Sequence, residues 1–217
     1  MTIAQSESDK IYDELIAAHT IMRRGVDLLR TALARAPTAP VEVDSCVGVG
    51  RWLIEFVHQH QRTESDLFWQ PLADASPTDI GELHDLTVQH IQIDRELDQL
   101  ASRLDHLEAG REAAAAQALR DLDVVRQTLS DHLDEEESLL KALFPMLEPA
   151  LIRTLRTAAA RCASSARPDL VLGLMSEPTP TVGYTSMLSS IPFPARALRP
   201  LLIARFHNRK RKLGLAA

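Results

Sequence analysis

Apolar side chains recur every three or four residues along four stretches of the chain, the spacing that gathers them on one face of an α-helix. In the first stretch Tyr12, Leu15, His19, Met22, Val26 and Leu29 share a stripe, and Ala-Pro-Thr-Ala-Pro at 36–40 ends it. The second begins after Pro40, aligns Leu53, Val57, His60, Glu64 and Leu67, and ends near Pro71. Ser76-Pro77-Thr78-Asp79 has the make-up of a helix start, with a capping serine, a first-turn proline and an acid three residues after the cap. It opens a third stretch carrying Leu83, Leu86, His90, Ile93, Leu97, Leu100, Leu104 and Leu107, closed by Gly110. The fourth runs from about Glu112 to Pro145 and aligns Leu122, Val125, Leu129, His132, Glu136, Leu139 and Leu143. Short connections between long amphipathic helices predict an all-α fold, an antiparallel up-down four-helix bundle within residues 1–165. Residues 166–217 are expected to form a helical extension packed on it, with a last helix from Pro194 to about Leu213.

Composition agrees with helices and narrows the class. The chain of 217 residues is 45% hydrophobic but only 4% aromatic, and its Ala, Leu, Arg and Glu suit helix better than sheet. No apolar run is long enough to span a membrane, and the polar start from Met1 to Lys10 has no leader pattern, so the expected location is the cytoplasm. Cys46 and Cys162 lack close-spaced partners and are read as reduced thiols, which excludes a disulfide framework or a cysteine metal knuckle. The formal charge of −6, from 24 Lys+Arg against 30 Asp+Glu, is unevenly spread. No acid follows Glu177, and the tail carries Arg196, Arg199, Arg205, Arg209, Lys210, Arg211 and Lys212. Such a tail is expected to fold against its own acidic body. Few aromatics are interleaved with it and no DNA-binding motif is present, so nucleic acid is not an expected partner.

The chemistry lies in what interrupts the stripes. Each contains one histidine, and the second and fourth place a glutamate four residues later, on the same helix face. A buried, unpartnered carboxylate is costly enough that it must be paired, hydrogen-bonded or metal-bound. Counting from loops near residues 39, 76 and 111 puts His19, His60, His90 and His132 at one depth, within about 3 Å at the helical rise per residue. Glu64 and Glu136 both fall one turn to the same side. Imidazole with carboxylate suits iron, with manganese or zinc as the less favoured choices, and six ligands suffice for two ions bridged by the glutamates. His58 is read as a flank residue facing solvent, with an outer role at the site as the alternative. Glu135 and Glu137 are read as surface carboxylates, with metal contact by Glu137 as the alternative, and His106 and His207 have no role.

These residues resemble the hemerythrin-like, or HHE cation-binding, family over about residues 10–147. The resemblance rests on Ala-Ala-His19-Thr-Ile, His60-Gln-Arg-Thr-Glu64-Ser-Asp-Leu-Phe-Trp-Gln-Pro, Val-Gln-His90-Ile-Gln-Ile-Asp and His132-Leu-Asp-Glu-Glu136-Glu-Ser. It implies a non-haem di-iron centre with oxo or hydroxo bridges, with Glu64 and Glu136 as bridging carboxylates and the four histidines as terminal ligands. Oxygen carriers of the family have a second histidine one turn before the third; here that position is Leu86, and His84, about 120° away around the helix, cannot replace it. The missing ligand leaves an open coordination position. The expected function is binding of or reaction with dioxygen, hydrogen peroxide or nitric oxide, with catalase-like turnover as one form. The alternative is an iron- or oxygen-sensing regulator signalling through residues 178–217, and metal storage ranks third. A homodimer is compatible with this reading.

Overall fold

The computed structural model describes residues 6–36, 41–110, 113–162, 167–190 and 196–216. The fold is all-α, with no strand among these residues. Four long helices dominate: α1 (Glu7–Arg35), α2 (Val43–Leu67), α4 (Ile80–Glu108) and α5 (Ala114–Leu143), with the short α3 (Trp69–Ala75) after α2. α1 starts at a reciprocal cap, in which Ser6 Oγ accepts from the Asp9 amide and the Asp9 carboxylate accepts from the Ser6 amide.

Each long helix packs on two others, in the cyclic order α1, α2, α4, α5. Side-chain partners fix the sense of each pairing. On α1 and α5, Arg23 pairs with Asp134 and Arg30 with Asp123. Arg103 of α4 pairs with Asp121 of α5, while Gln89 reaches Glu135. On α2 and α4, Arg51 pairs with Asp105 and His58 lies beside Asp94. The leucine side chain at 53 lies over Gly25 of α1, and that of Leu29 lies against Gly50 of α2. In every pair the numbers rise on one helix as they fall on its neighbour. Most of these ion pairs are exposed and worth little each; the energy comes from the apolar faces.

Those faces form two separate buried clusters. The larger includes Met22, Val26, Leu53, Val57, Ile93, Leu97, Leu129 and Leu133. The smaller includes Leu15, Phe68, Leu72, Leu83, Leu140, Phe144, Leu147, Ile152 and Leu155. Its outer part belongs to α6 (Pro149–Cys162), which packs on α1 and α2 and closes that end. The level of His19, His60, His90 and His132 falls between the two.

Several boundaries differ from expectation. α2 ends at Leu67, and Pro71 sits inside α3, where a first-turn proline forfeits no helical hydrogen bond. Pro77–Asp79 is a 3-10 turn, and the Ser76 hydroxyl bonds the Asp79 carboxylate instead of capping a backbone amide. Helix α6 and the two that follow, α7 (Pro168–Ser176) and α8 (Tyr184–Ser190), went unpredicted as separate elements. The last helix, α9 (Arg199–Lys212), begins five residues beyond the expected Pro194, which lies outside the described residues, as do Glu112 and the loop centres at 39 and 111. Cys46 is free and buried, which pushes its thiol up to about 11; the Cys162 side chain is outside the described set.

The basic tail makes specific pairs. Arg209 meets Asp169, Lys210 and His207 meet Glu177, and Lys212 meets Glu42 at the start of α2. α7 packs between α1 and α9, with the Phe206 ring of α9 directly over Gly173. A β-carbon at Gly173 would fall 2.1 Å from that ring. Gly173→Ala is therefore expected to cost about 1–3 kcal/mol through overpacking, seen as a lower thermal midpoint by circular dichroism. An unchanged midpoint would show that α9 does not depend on this contact.

Candidate metal centre

Four helices each bring one imidazole to the layer between the apolar clusters, because each histidine occupies a stripe position that would otherwise hold a core residue. The result is a closed ring of contacts. His19 Nε2 lies 3.0 Å from His60 Nε2, and His60 Nε2 lies 2.5 Å from Glu64 Oε1. The other oxygen of Glu64 is 3.5 Å from His90 Nε2, which is 3.2 Å from His132 Nε2. Glu136 Oε2 closes the ring, 3.6 Å from His132 Nε2 and 3.4 Å from His19 Nε2. All six sequence-predicted residues are thus brought together. Ligand atoms of His19, His60, Glu64 and Glu136 all lie within 4.8 Å of one another, a spacing that can hold a metal ion.

Burial and satisfaction decide what this cluster is for. Glu64 is 1% exposed and Glu136 0%, and among the described residues no nitrogen or hydroxyl donor meets any of their four carboxylate oxygens in hydrogen-bonding geometry. Burial pushes the Glu64 carboxyl up to about 8. The Glu136 carboxyl is also raised to about 8, first by burial and then by the charge of Glu64. Burial lowers His19 and His60, takes His90 down to about 4 and His132 to about 2, so the imidazoles stay neutral. Neutral imidazole lone pairs facing carboxylates that lack donors form a donor set suited to a cation, and a cation would relieve the strain that burial imposes.

The ring is held from behind by residues that sequence reasoning set aside. Glu137 is half-buried, and its Oε1 is 2.9 Å from His19 Nδ1 while Arg23 donates to it. It is thus neither a surface carboxylate nor turned toward the ring. Burial raises its carboxyl, but the bonds from His19 and Arg23 outweigh this and lower it overall. On the opposite flank of α5, Glu135 is exposed as expected but accepts from Gln89 Nε2, which leaves Gln89 Oε1 2.8 Å from His132 Nδ1. A proton on Nδ1 of His19 and His132 leaves Nε2 unprotonated and facing inward, the arrangement seen behind metal-bound histidines. The signal was present in Glu135-Glu136-Glu137, since steps of 100° send the outer two toward α4 and α1 while the middle one faces the interior. The Trp69 ring, also unanticipated, stacks on His90 with centroids 5.9 Å apart. His58 is partly buried beside Asp94, and His84 is exposed.

An all-α fold with this buried His/Glu cluster defines a metal-binding protein. The family described as the hemerythrin HHE cation binding domain matches residues 10–147, and the chain belongs to it. No significant match was found among curated proteins or solved structures. No helix among the described residues is long and apolar enough to cross a membrane.

The raised carboxyls set a pH dependence for the metal-free protein. In the unfolded chain both would ionise near 4.5, whereas in the fold they hold their protons until about 8. Their contribution to stability is therefore lost as pH rises through that window. Replacing both, Glu64→Gln with Glu136→Gln, should stabilise the metal-free fold, and the gain should be several kcal/mol larger at about pH 8 than at about pH 5. Urea unfolding at the two values checks this; an equal gain at both would mean that the pair ionises normally.

Proposed function

We propose that this chain is a non-haem di-iron protein of the hemerythrin type, its four long helices forming an antiparallel up-down bundle within residues 1–165, with 166–217 as an extension packed on it. His19, His60, Glu64, His90, His132 and Glu136 would together hold the ions. The observation that carries the reading is the pair of buried carboxylates without nitrogen or hydroxyl donors among the described residues, closed into one ring with four Nε2 atoms. Bound iron would supply redox chemistry toward dioxygen, hydrogen peroxide or nitric oxide, including disproportionation of peroxide to water and dioxygen. The protein's own part is to keep the four imidazoles neutral and correctly turned, and to exclude bulk water from the layer with apolar clusters on both sides.

Leu86 directs the reading toward reactivity over simple carriage. It is 3% exposed, one turn before His90 on the same face, where oxygen carriers of this kind place a further histidine. A leucine there donates nothing, so one coordination position is left to small molecules.

Iron-loaded protein should contain two iron atoms per chain and show the near-ultraviolet charge-transfer bands of a bridged ferric pair, and His132→Ala should lose metal and thermal stability together. Full occupancy in that variant would remove His132 from the ligand set. Leu86→His should slow oxygen release from peroxide by at least about tenfold, as filling an open position does, and favour reversible oxygen binding. Turnover at the original rate would show that the vacancy is not where chemistry occurs.

A further inference from the structure

Between α2 and α4 lies a groove of about 290 Å³ lined by His58, Gln61, Arg62, Ser65, Asp66, His90, Asp94 and Asp98. Its construction follows from helical spacing. Residues 58, 61, 62, 65 and 66 share one flank of α2, while 90, 94 and 98 share one stripe of α4, so two polar edges face each other. The groove is graded from outside to inside. Asp66, Asp94 and Asp98 are exposed at its rim, His58 is partly buried beside Asp94, and its inner wall includes His90 of the ring.

Gln61 stands apart from the other lining residues. It is 5% exposed, and among the described residues neither its amide oxygen nor its amide nitrogen has a hydrogen-bond partner. A buried primary amide left wholly unpaired carries a desolvation cost that apolar residues of the same size would avoid. Its placement on the wall of this groove gives the amide a use: its oxygen can take up a cation that has left the carboxylates and not yet reached the ring. Three carboxylates against one guanidinium, Arg62, make the lining net negative, which concentrates cations at the mouth.

We propose that this groove is the route by which a divalent metal ion reaches the centre, with Asp66, Asp94 and Asp98 gathering the ion and Gln61 passing it inward toward His90. The inference rests on the reading of the ring as a metal centre. Hard oxygen donors of this kind bind a divalent cation weakly enough to release it, whereas the imidazoles inside retain it.

The test is the rate at which the full chain, stripped of metal by a chelator, takes up Co(II), followed in a stopped-flow instrument by the visible absorption of the bound ion. Asp94→Asn with Asp98→Asn should load about tenfold more slowly than the original, as loss of electrostatic focusing predicts, and reach the same final stoichiometry. Raising the ionic strength should slow the original chain and leave that double variant nearly unaffected. Gln61→Leu should also slow loading while keeping the salt dependence, because it removes the inner step and not the attraction. Arg62→Gln should accelerate loading. Original rates in both the double variant and Gln61→Leu would overturn the route while the centre stands. Reduced final stoichiometry at an unchanged rate would also overturn it, by placing these residues in the centre itself. A chain that takes up no Co(II) at all would remove the centre and the route together.

Discussion

Two carboxylates that no nitrogen or hydroxyl donor meets in hydrogen-bonding geometry among the described residues, set in a thin layer between two apolar clusters, are the constraint on which the molecule is organised. Hydrophobic packing alone would put leucines where Glu64 and Glu136 stand, as it does on the same helix faces at Leu53, Leu129 and Leu140. Retaining acids there costs stability in the metal-free state, and the surrounding imidazoles cannot offset that cost, because burial keeps them neutral. The apolar clusters on either side supply the surplus that lets the fold tolerate the layer.

Much of this was readable from the sequence, for a specific reason. A helix in contact with two neighbours has one continuous buried seam, so a histidine on the seam is recognisable by its spacing from leucines, and its depth by counting residues to a loop. The seam argument placed His19, His60, Glu64, His90, His132 and Glu136 with no knowledge of crossing angles. It has no power for residues about 100° off the seam, whose burial depends on which neighbour leans over them. Glu137 and Glu135 flank the same residue, yet Glu137 is half-buried against α1 while Glu135 stays exposed beside α4. Gln61 is a similar case, off the seam in sequence yet buried in the fold. The helix α7 escaped for another reason: its nine residues are too few for periodicity to stand out, although Pro168 marks its first turn as Pro77 marks that of the 3-10 segment, whereas α6, with Pro149 at its start, is as long as α9 and was legible in principle.

The supports behind the ring divide the centre into unlike halves. On the α1 and α5 side, His19 and His132 each have an acceptor on Nδ1, and both of those supports are tied further back, Glu137 to Arg23 and Gln89 to Glu135. On the α2 and α4 side, no hydrogen bond reaches Nδ1 of His60 or His90 among the described residues; His90 is held by stacking on Trp69. The same side is the more open, with the His60 side chain 13% exposed and that of His90 7%, against 0% and 1% for His19 and His132. A bond at Nδ1 fixes both the orientation and the tautomer of His19 and His132, a support that His60 and His90 lack among the described residues. The polar groove opens on that more exposed side, and the same helix carries the buried Leu86 one turn before His90. Exposure and the polar groove therefore coincide on α4 and its partner α2, while the hydrogen-bonded supports belong to the α1 and α5 side.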